Sequence, residues 1–538
     1  MPKRTGIQKL SNELLKDILD HIEADPDRSV SIDRRAYLSV ESFRPPSPPL
    51  PSQAQDIGNF RLVCRRFAEL GIPHQFTRIA TRFSRAGFQR LDKICSRPNL
   101  AKHTKKFSYL IPFFFEGRIR HLLNSKFNVS LYSNLGPERV ADLLKHANGD
   151  LHAPDAAYFQ KKAEAQRNLV QSGEDLRVLK KAMLAFRSLQ HVQLLRLQNE
   201  EDASLLDYLR ENDNASTRPV DFAWTPACVH AVKTMGEALN FANSNFTRFS
   251  GPMMNLQSAL VIKDAMPSAV TSLAERLTCL ELHFDDGHDL NEKIRELSSY
   301  MKAVFIAAKN MQAFHIGFPS RRPLEVKLEE VFHHIHWEKL RAFGVQAWRL
   351  DAEEIIDFAR RHRKTLRGLR LRDVQLKEGS MWKVVLAALR AEMEQLDWVS
   401  LRRIDYSSHF DEVWADSIEV PDYPPGSASD SDIEDDFHSH VNLEDDVDES
   451  DGEYSSGETD SNSDADTDHG PDANELALSP DTPASLPFCT CSRSSFPAGA
   501  DDLGDNGRFV LYQQRKLWEK WVIGRCPEHS SNSSSGWQ

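Results

Sequence analysis

The chain has 538 residues, of which 40% are hydrophobic and 27% charged, with a formal net charge of −12. That is enough apolar material for a large core and two or three regions, and the absence of any run of roughly 18 consecutive apolar residues excludes the sequence signature of a membrane-spanning helix. Seven cysteines over this length do not make a disulfide scaffold, which fits a reducing compartment.

In chain order, MPKRTGIQKL carries no apolar signal core, so a cytoplasmic or nuclear location is expected. Leu10–Ile22 reads as one amphipathic helix. Ser11 can cap it, Leu10 and Leu15 can close as a hydrophobic staple, and Glu13 sits at the positive dipole end. Its apolar residues form two adjoining rows, Leu14-Ile18-Ile22 and Leu15-Leu19-Ile22, wider than one small core needs. A second helix is predicted through Phe60, Val63, Cys64, Phe67 and Leu70, opened by Asp56. Two short helices cannot bury all this surface between them, so docking on a partner is expected.

Leu10–Ile22 followed by Leu62-Val63-Cys64-Arg65-Arg66-Phe67 resembles an F-box, the helical module that binds the Skp-type adaptor of cullin–RING ubiquitin ligases. The continuation Phe76, Phe83, Phe88, Leu91, Arg97-Pro98 and His103–Tyr109 resembles the F-box proteins of filamentous fungi. Leu10-Ser11 stands where that family has Leu-Pro, and a predicted loop over 25–55 splits the module; closure entropy grows only logarithmically with such an insert. The resemblance implies that Leu10, Leu14, Leu15, Ile18, Leu19, Leu62, Val63 and Phe67 grip the adaptor. It implies no catalytic residue, no metal and no cofactor.

Residues 112–188 read as helical, most clearly Ala156–Leu189. A hexad, apolar-x-x-apolar-x-apolar, then recurs six times, beginning at Leu189, Leu277, Met311, Leu340, Leu366 and Leu396. Helix-like segments (Leu290–Asn310, Asp351–Arg363, Met381–Met393) separate the later ones. A short strand plus a helix in each unit resembles an irregular leucine-rich repeat, with further degenerate units at Phe107–Tyr109 and near Ala259–Ile262. Alternation along each strand turns the apolar side chains to the core and the others to an open sheet face. Glu281, His283, His315, Gln346, Arg370, Arg372, Trp398 and Arg402 are therefore the candidate target-binding residues, with Trp398 as anchor and the arginines as electrostatic selectors.

Residues 411–475 hold 24 Asp and Glu and no Lys or Arg, leaving 67 basic against 55 acidic residues elsewhere (79 less 24). This stretch lacks apolar periodicity and is expected to be disordered; Ser429-Asp430-Ser431-Asp432 suits an acidophilic kinase. Arg508–Ile523 reads as a short amphipathic helix that packs back on the body. The expected organisation is an F-box-like module at 1–75, an α/β repeat body at 76–410, an acidic disordered tail at 411–505, a helix within 506–526, and a disordered end at 527–538.

Sites for chemistry are sparse. There is no phosphate loop, nucleophile elbow or kinase signature. His283–Asp289 reads as a polar turn. His333, His334 and His336 lie on a predicted helix, with His333 and His336 on one face and no third ligand. Cys489, Cys491 and Cys526 have loose spacing for a zinc site, and Cys64 and Cys279 read as core residues. Lys102, Lys105, Lys106, Arg361, Arg363, Arg370 and Arg372 form no nucleic-acid recognition motif. The reading is a mixed α/β, non-enzymatic substrate receptor; the alternative is an acidic-tailed scaffold that binds basic proteins such as histones.

Overall fold

Ser11 does cap the first helix: its Oγ accepts from the Leu14 N–H at 3.4 Å, and α1 runs over Asn12–Ile22. The computed structural model describes residues 6–22, 51–112, 114, 156–196, 225–265, 267–284, 289–320, 322–393, 395–410 and 499–524. Two helices replace the single one predicted next, α2 (Pro51–Val63) and α3 (Arg65–Phe76), because Cys64 between them is fully extended at φ −166°, ψ 168°. Asp56 lies inside α2 and caps nothing, and α2 begins within the segment read as a loop.

The break folds α3 back on α2, so that Phe60 and Phe67 stack with centroids 4.4 Å apart. Leu15, Leu19 and Ile57 complete a small core, with Leu10, Ile22, Cys64 and Leu70 packed around it. Arg66 ties α3 to the start of α1, donating to Asn12 Oδ1 and the Leu10 carbonyl, both at 2.7 Å.

Beyond this module the chain alternates strands and helices. The elements are β1 (Arg78–Arg82), α4 (Arg85–Cys95), α5 (Pro98–Ala101), β2 (Lys106–Ile111), α6 (Ala156–Ser172), α7 (Glu174–Ala185), β3 (His191–Arg196), α8 (Thr225–Phe241) and β4 (Arg248–Ser250). They continue with α9 (Leu256–Ala265), α10 (Pro267–Ala274), β5 (Cys279–His283), α11 (Leu290–Ala307), β6 (Ala313–Gly317), α12 (Leu328–Phe332) and β7 (Ala342–Leu350). The body ends in α13 (Ala352–Arg361), β8 (Gly368–Leu376), α14 (Trp382–Glu392), β9 (Trp398–Arg402), β10 (Asp405–Tyr406) and, after residue 498, α15 (Tyr512–Ile523). All ten strands belong to one open parallel sheet whose order follows the chain from β1 to β8. β9 and β10 both pair with β8, one after the other along its length.

One backbone device repeats along the sheet. The carbonyl just before each strand accepts two N–H groups from the entry of the next, at 2.7–3.1 Å, and the acceptors are Thr77, Lys105, Gln190, Thr247, Thr278, Gln312, Arg341 and Arg367. In the six predicted hexads the acceptor or its partner is always the second residue. Each hexad strand thus starts two residues after the hexad begins. The first, fourth and sixth residues face the helices and form one continuous core, with Leu282 only partly buried. Parallel strands covered by helices must bury this face heavily, and Phe305, Phe314, Phe332, Trp337, Phe343 and Phe358 fill it in mutual ring contact. Such ring pairs add about 0.5–1.5 kcal/mol each beyond area burial.

Several expectations need correction. Phe107–Tyr109 lies in a strand, β2, but Ala259–Ile262 lies in α9, and the strand of that unit is β4. Helix 156–189 is interrupted at Gly173, which takes a left-handed φ of 62° between α6 and α7. The boundary at 505 falls too late. Leu503 is buried, Lys383 Nζ binds Asp501 at 2.7 Å, and Tyr406 Oη donates to Asp505 at 2.5 Å, so the chain rejoins the body from residue 499. Residues 411–475, the acidic stretch, lie outside the described residues, as do 527–538, Cys489, Cys491 and Cys526.

Candidate functional site

Two surfaces carry the residues that the sequence singled out. In the N-terminal module the two apolar rows of α1 separate by burial. Leu15 and Leu19 are fully buried and Phe67 nearly so, while Leu10 is half-buried against them; these four hold the module together and are not a docking surface. Leu14 remains 51% exposed, Leu62 85% and Val63 48%, with Ile18 half-buried. Exposed apolar side chains thus remain on both α1 and α2 after their own core is complete.

The second surface is the sheet face opposite the helices. Strand register sets its rows. One row runs Arg78, Lys106, His191, Arg248, Cys279, Ala313, Ala342, Gly368 and Trp398. Two residues along, the next runs Ala80, Ser108, Gln193, Ser250, Glu281, His315, Gly344, Arg370 and Ser400. A third brings His283, Gly317, Gln346, Arg372 and Arg402 side by side. All eight predicted target-binding residues therefore do fall on one face. Their exposure differs from expectation: Glu281, His283, His315, Gln346 and Arg372 are buried, Arg370 and Trp398 are half-buried, and Arg402 is exposed.

The small residues of the first row explain Trp398. Cys279, Ala313 and Ala342 make a shallow apolar floor, and Trp398 packs at its edge. Its ring lies on Gly368, where an added Cβ would stand 2.2 Å from Cε2 and Cζ2. The Arg370 guanidinium sits 5.9 Å from the same ring. Gly317 serves His283 similarly, since a Cβ there would meet the imidazole at 2.8 Å. His283 and His315 then lie 5.0 Å apart.

Burial and positive neighbours set the charges on this face. Desolvation, with Arg372 beside it, pushes His283 down to about 3, and burial next to His283, Arg370 and Arg372 holds His315 well below the ordinary imidazole range. Lys106 is pushed down to about 7 by desolvation and by Arg78 and Arg248, against the pull of Glu281. Arg372 is lowered to about 10 by burial and by Arg403.

His191, Ser250 and Glu281 form a buried line: His191 Nε2 lies 2.9 Å from Ser250 Oγ, which donates to Glu281 Oε2 at 2.6 Å. The serine has one proton and gives it to the carboxylate, so the imidazole Nε2–H is the donor to Oγ. In a nucleophilic triad the histidine stands between serine and acid. Here the serine stands between them, so the order is not that of the triad, and the line links β3 to β5 across the sheet.

A second link closes the far end. Ala347, Asp373 and Arg403 are all left-handed, at φ 56°, 51° and 49°, and each follows a residue paired in the third row. The bend aims the Arg403 guanidinium at the Asp373 carboxylate, with Nη2 donating at 2.8 Å, and Ser320 Oγ donates to the same carboxylate at 3.0 Å.

The histidines read as one helix are not on one. α12 ends at Phe332, and His333 and His334 are left-handed at φ 51° and 55°. His333 Nε2 lies 2.9 Å from Ser298 Oγ, and no group of three metal-capable side chains occurs among the described residues. Residues 285–288 of the His283–Asp289 turn lie outside the described residues. Sequence reasoning missed Arg78, His191 and Arg248 as members of the sheet face. The third position of the hexad at Leu189 gives His191, but the units bearing Arg78 and Arg248 do not match the hexad.

Compared with known proteins, the chain matches no family model and no curated sequence.

Proposed function

We propose that the chain is a non-enzymatic receptor whose N-terminal helices dock on a Skp-type adaptor of a cullin–RING ubiquitin ligase and whose sheet body holds a protein target. The observation that most supports this is the set of exposed apolar residues, Leu14, Leu62 and Val63, outside a core that Leu15, Leu19 and Phe67 already complete. Large apolar groups left on a self-sufficient module favour a protein partner. The F-box resemblance supplies the partner's identity, with Leu14, Ile18, Leu62 and Val63 as the adaptor contacts. We read the body as an irregular leucine-rich-repeat-like solenoid, supported by the chain-ordered sheet and its repeated carbonyl acceptor. Within it, Trp398, Arg370 and Arg402 are the accessible part of the target face. The mechanism is proximity: tethering raises the effective concentration of target lysines near a ubiquitin-charged enzyme, and the receptor needs no catalytic group.

The test is binding of the purified adaptor to the intact chain and to Leu14→Asp/Leu62→Asp. Both positions are exposed, so this variant should keep its circular dichroism and melting while losing 1:1 binding. Leu15→Asp/Leu19→Asp should instead unfold the module, because it buries two carboxylates in an apolar core. A folded Leu14→Asp/Leu62→Asp variant that still binds the adaptor would refute the assignment.

A further inference from the structure

The sheet face opposite the helices is cationic in two clusters. Arg78, Lys106 and Arg248 on neighbouring strands surround His191, with Glu281 as the facing carboxylate. Arg370 and Arg372 lie beside His315, Arg372 also lies beside His283, and Arg402 and Arg403 flank Arg372, with Asp373 as the facing carboxylate. Among the described residues, these seven basic side chains share the face with Arg82, which alternates with Arg78 and Ala80, and with Arg349, and the carboxylates there are Glu281, Asp373, Glu325 and Asp405. Glu281 also accepts from Ser250, Asp373 is held by Arg403 and Ser320, Glu325 pairs Arg349, and Asp405 pairs His409. Burial makes like-charge repulsion stronger than it would be in water, so a polyanion laid along the face lowers its energy.

The chain supplies such a polyanion and delivers it to this face. Residues 411–475, with 24 acidic and no basic side chains, begin directly beyond Phe410. Phe410 does not continue outward from β10 at the sheet edge. Its ring lies 5.0 Å from the Arg349 guanidinium on β7, one strand inward of β8, and Arg349 pairs in register with Gln375 and through it with Asp405. The polypeptide therefore leaves the edge strand heading back over the sheet, on the side away from the helices. It rejoins the body at residue 499, where Lys383 binds Asp501. The 88 intervening residues, 411–498, could reach about 300 Å when extended, whereas the eight inter-strand steps across the sheet span only about 38 Å. Attachment at both ends keeps the local concentration of the acidic stretch at about the millimolar level.

We propose that the acidic stretch 411–475 docks on the cationic sheet face of its own chain and occupies it until an acidic segment of another protein displaces it. This inference rests on charge and chain path and does not depend on adaptor binding. It assigns the face to acidic, extended peptides as a class, with the chain's own stretch as the resident one. Occupancy is electrostatic, so it weakens as salt shortens the screening length.

The test compares the intact chain with one in which residues 411–475 are replaced by a Gly/Ser linker of equal length. The probe is a fluorescent peptide copying residues 441–460, followed by anisotropy at low and high salt. The linker chain should bind the peptide at low salt, and the intact chain should bind it about tenfold or more weakly because its own stretch competes. A peptide with every Asp and Glu changed to Asn and Gln should bind neither. In the linker chain, Arg370→Gln/Arg402→Gln, at half-buried and exposed positions, should lower affinity several-fold with melting unchanged. Equal peptide binding by the intact and linker chains would overturn resident occupancy. Failure of the folded linker chain to bind, or unaltered binding by Arg370→Gln/Arg402→Gln, would overturn the face. Binding of single-stranded RNA in preference to the acidic peptide would also overturn it and reassign the face to nucleic acid.

Discussion

Trp398 and Gly368 show how one residue's shape can fix another's identity across a sheet. The indole covers the glycine so closely that a methyl group would have to push it away, with ring atoms 2.2 Å from the Cβ position. Trp398 also rests against the small floor of Cys279, Ala313 and Ala342, so it has little room to yield. Gly368→Ala should therefore destabilise the chain by about 1–3 kcal/mol, as overpacking does. Trp398→Ala should cost a similar amount through lost packing, but in that background the Gly368 substitution should become nearly neutral. A double-mutant cycle by urea denaturation measures this coupling directly. Additive losses would show that the ring is not what excludes a side chain at 368. The sequence marked Trp398 as an exposed anchor because alternation assigns a side of the sheet and says nothing about depth. Depth depends on what the neighbouring strands place beside it, and here those neighbours are small.

Elements that repeat strictly were readable, and elements that repeat loosely were not. Six hexads became six strands because their first, fourth and sixth residues are apolar and all face one core. The units at β1, β2 and β4 use the same carbonyl device at Thr77, Lys105 and Thr247. They put Thr81, Thr104 and Gly251 at hexad positions where the others put large apolar side chains, and all three are buried there. Composition hid them although the backbone is the same. The C-terminal helix was legible from its tryptophans, but its task was not. α15 lies against β9 and α14; Trp518 is fully buried, with its indole N–H donating to the Leu503 carbonyl at 3.0 Å. Glu519 accepts from the Leu401 backbone N–H at 2.6 Å, so a carboxylate occupies a hydrogen-bonding group on the edge strand. Edge strands left bare invite pairing with other chains, and this contact blunts that risk. Trp518→Ala should cost about 3–5 kcal/mol and raise aggregation on heating. Glu519→Gln, which keeps an acceptor, should change both far less. Light scattering during thermal melts separates the two; equal aggregation would mean that edge protection does not run through this helix.

At the scale of the whole molecule, two cores matter more than the number of elements. One apolar cluster runs without interruption from Ile79 on β1 to Val522 on α15, and a second, of Leu15, Leu19, Ile57, Phe60 and Phe67, serves the first three helices alone. Stacked units that share one core lend stability to each other, whereas a five-residue core has little to spare. The covalent link from α3 straight into β1 does not merge them, because Leu70 on α3 packs on the small cluster whereas Ile79, the second residue of β1, belongs to the large one. The N-terminal module should therefore open as a unit of its own, below the free energy needed to open the sheet. Native-state hydrogen exchange tests this. Amides of α1, α2 and α3 should exchange together and faster than those of β5 to β8, and Leu19→Ala should speed the first group while leaving the sheet unchanged. Slowing of the helical amides on addition of the Skp-type adaptor would tie this separate opening to docking, because a partner that binds only the closed module raises the cost of opening it. Joint exchange of helices and sheet in the Leu19→Ala variant would instead mean that the two cores act as one and that the N-terminal helices are an integral end of the body.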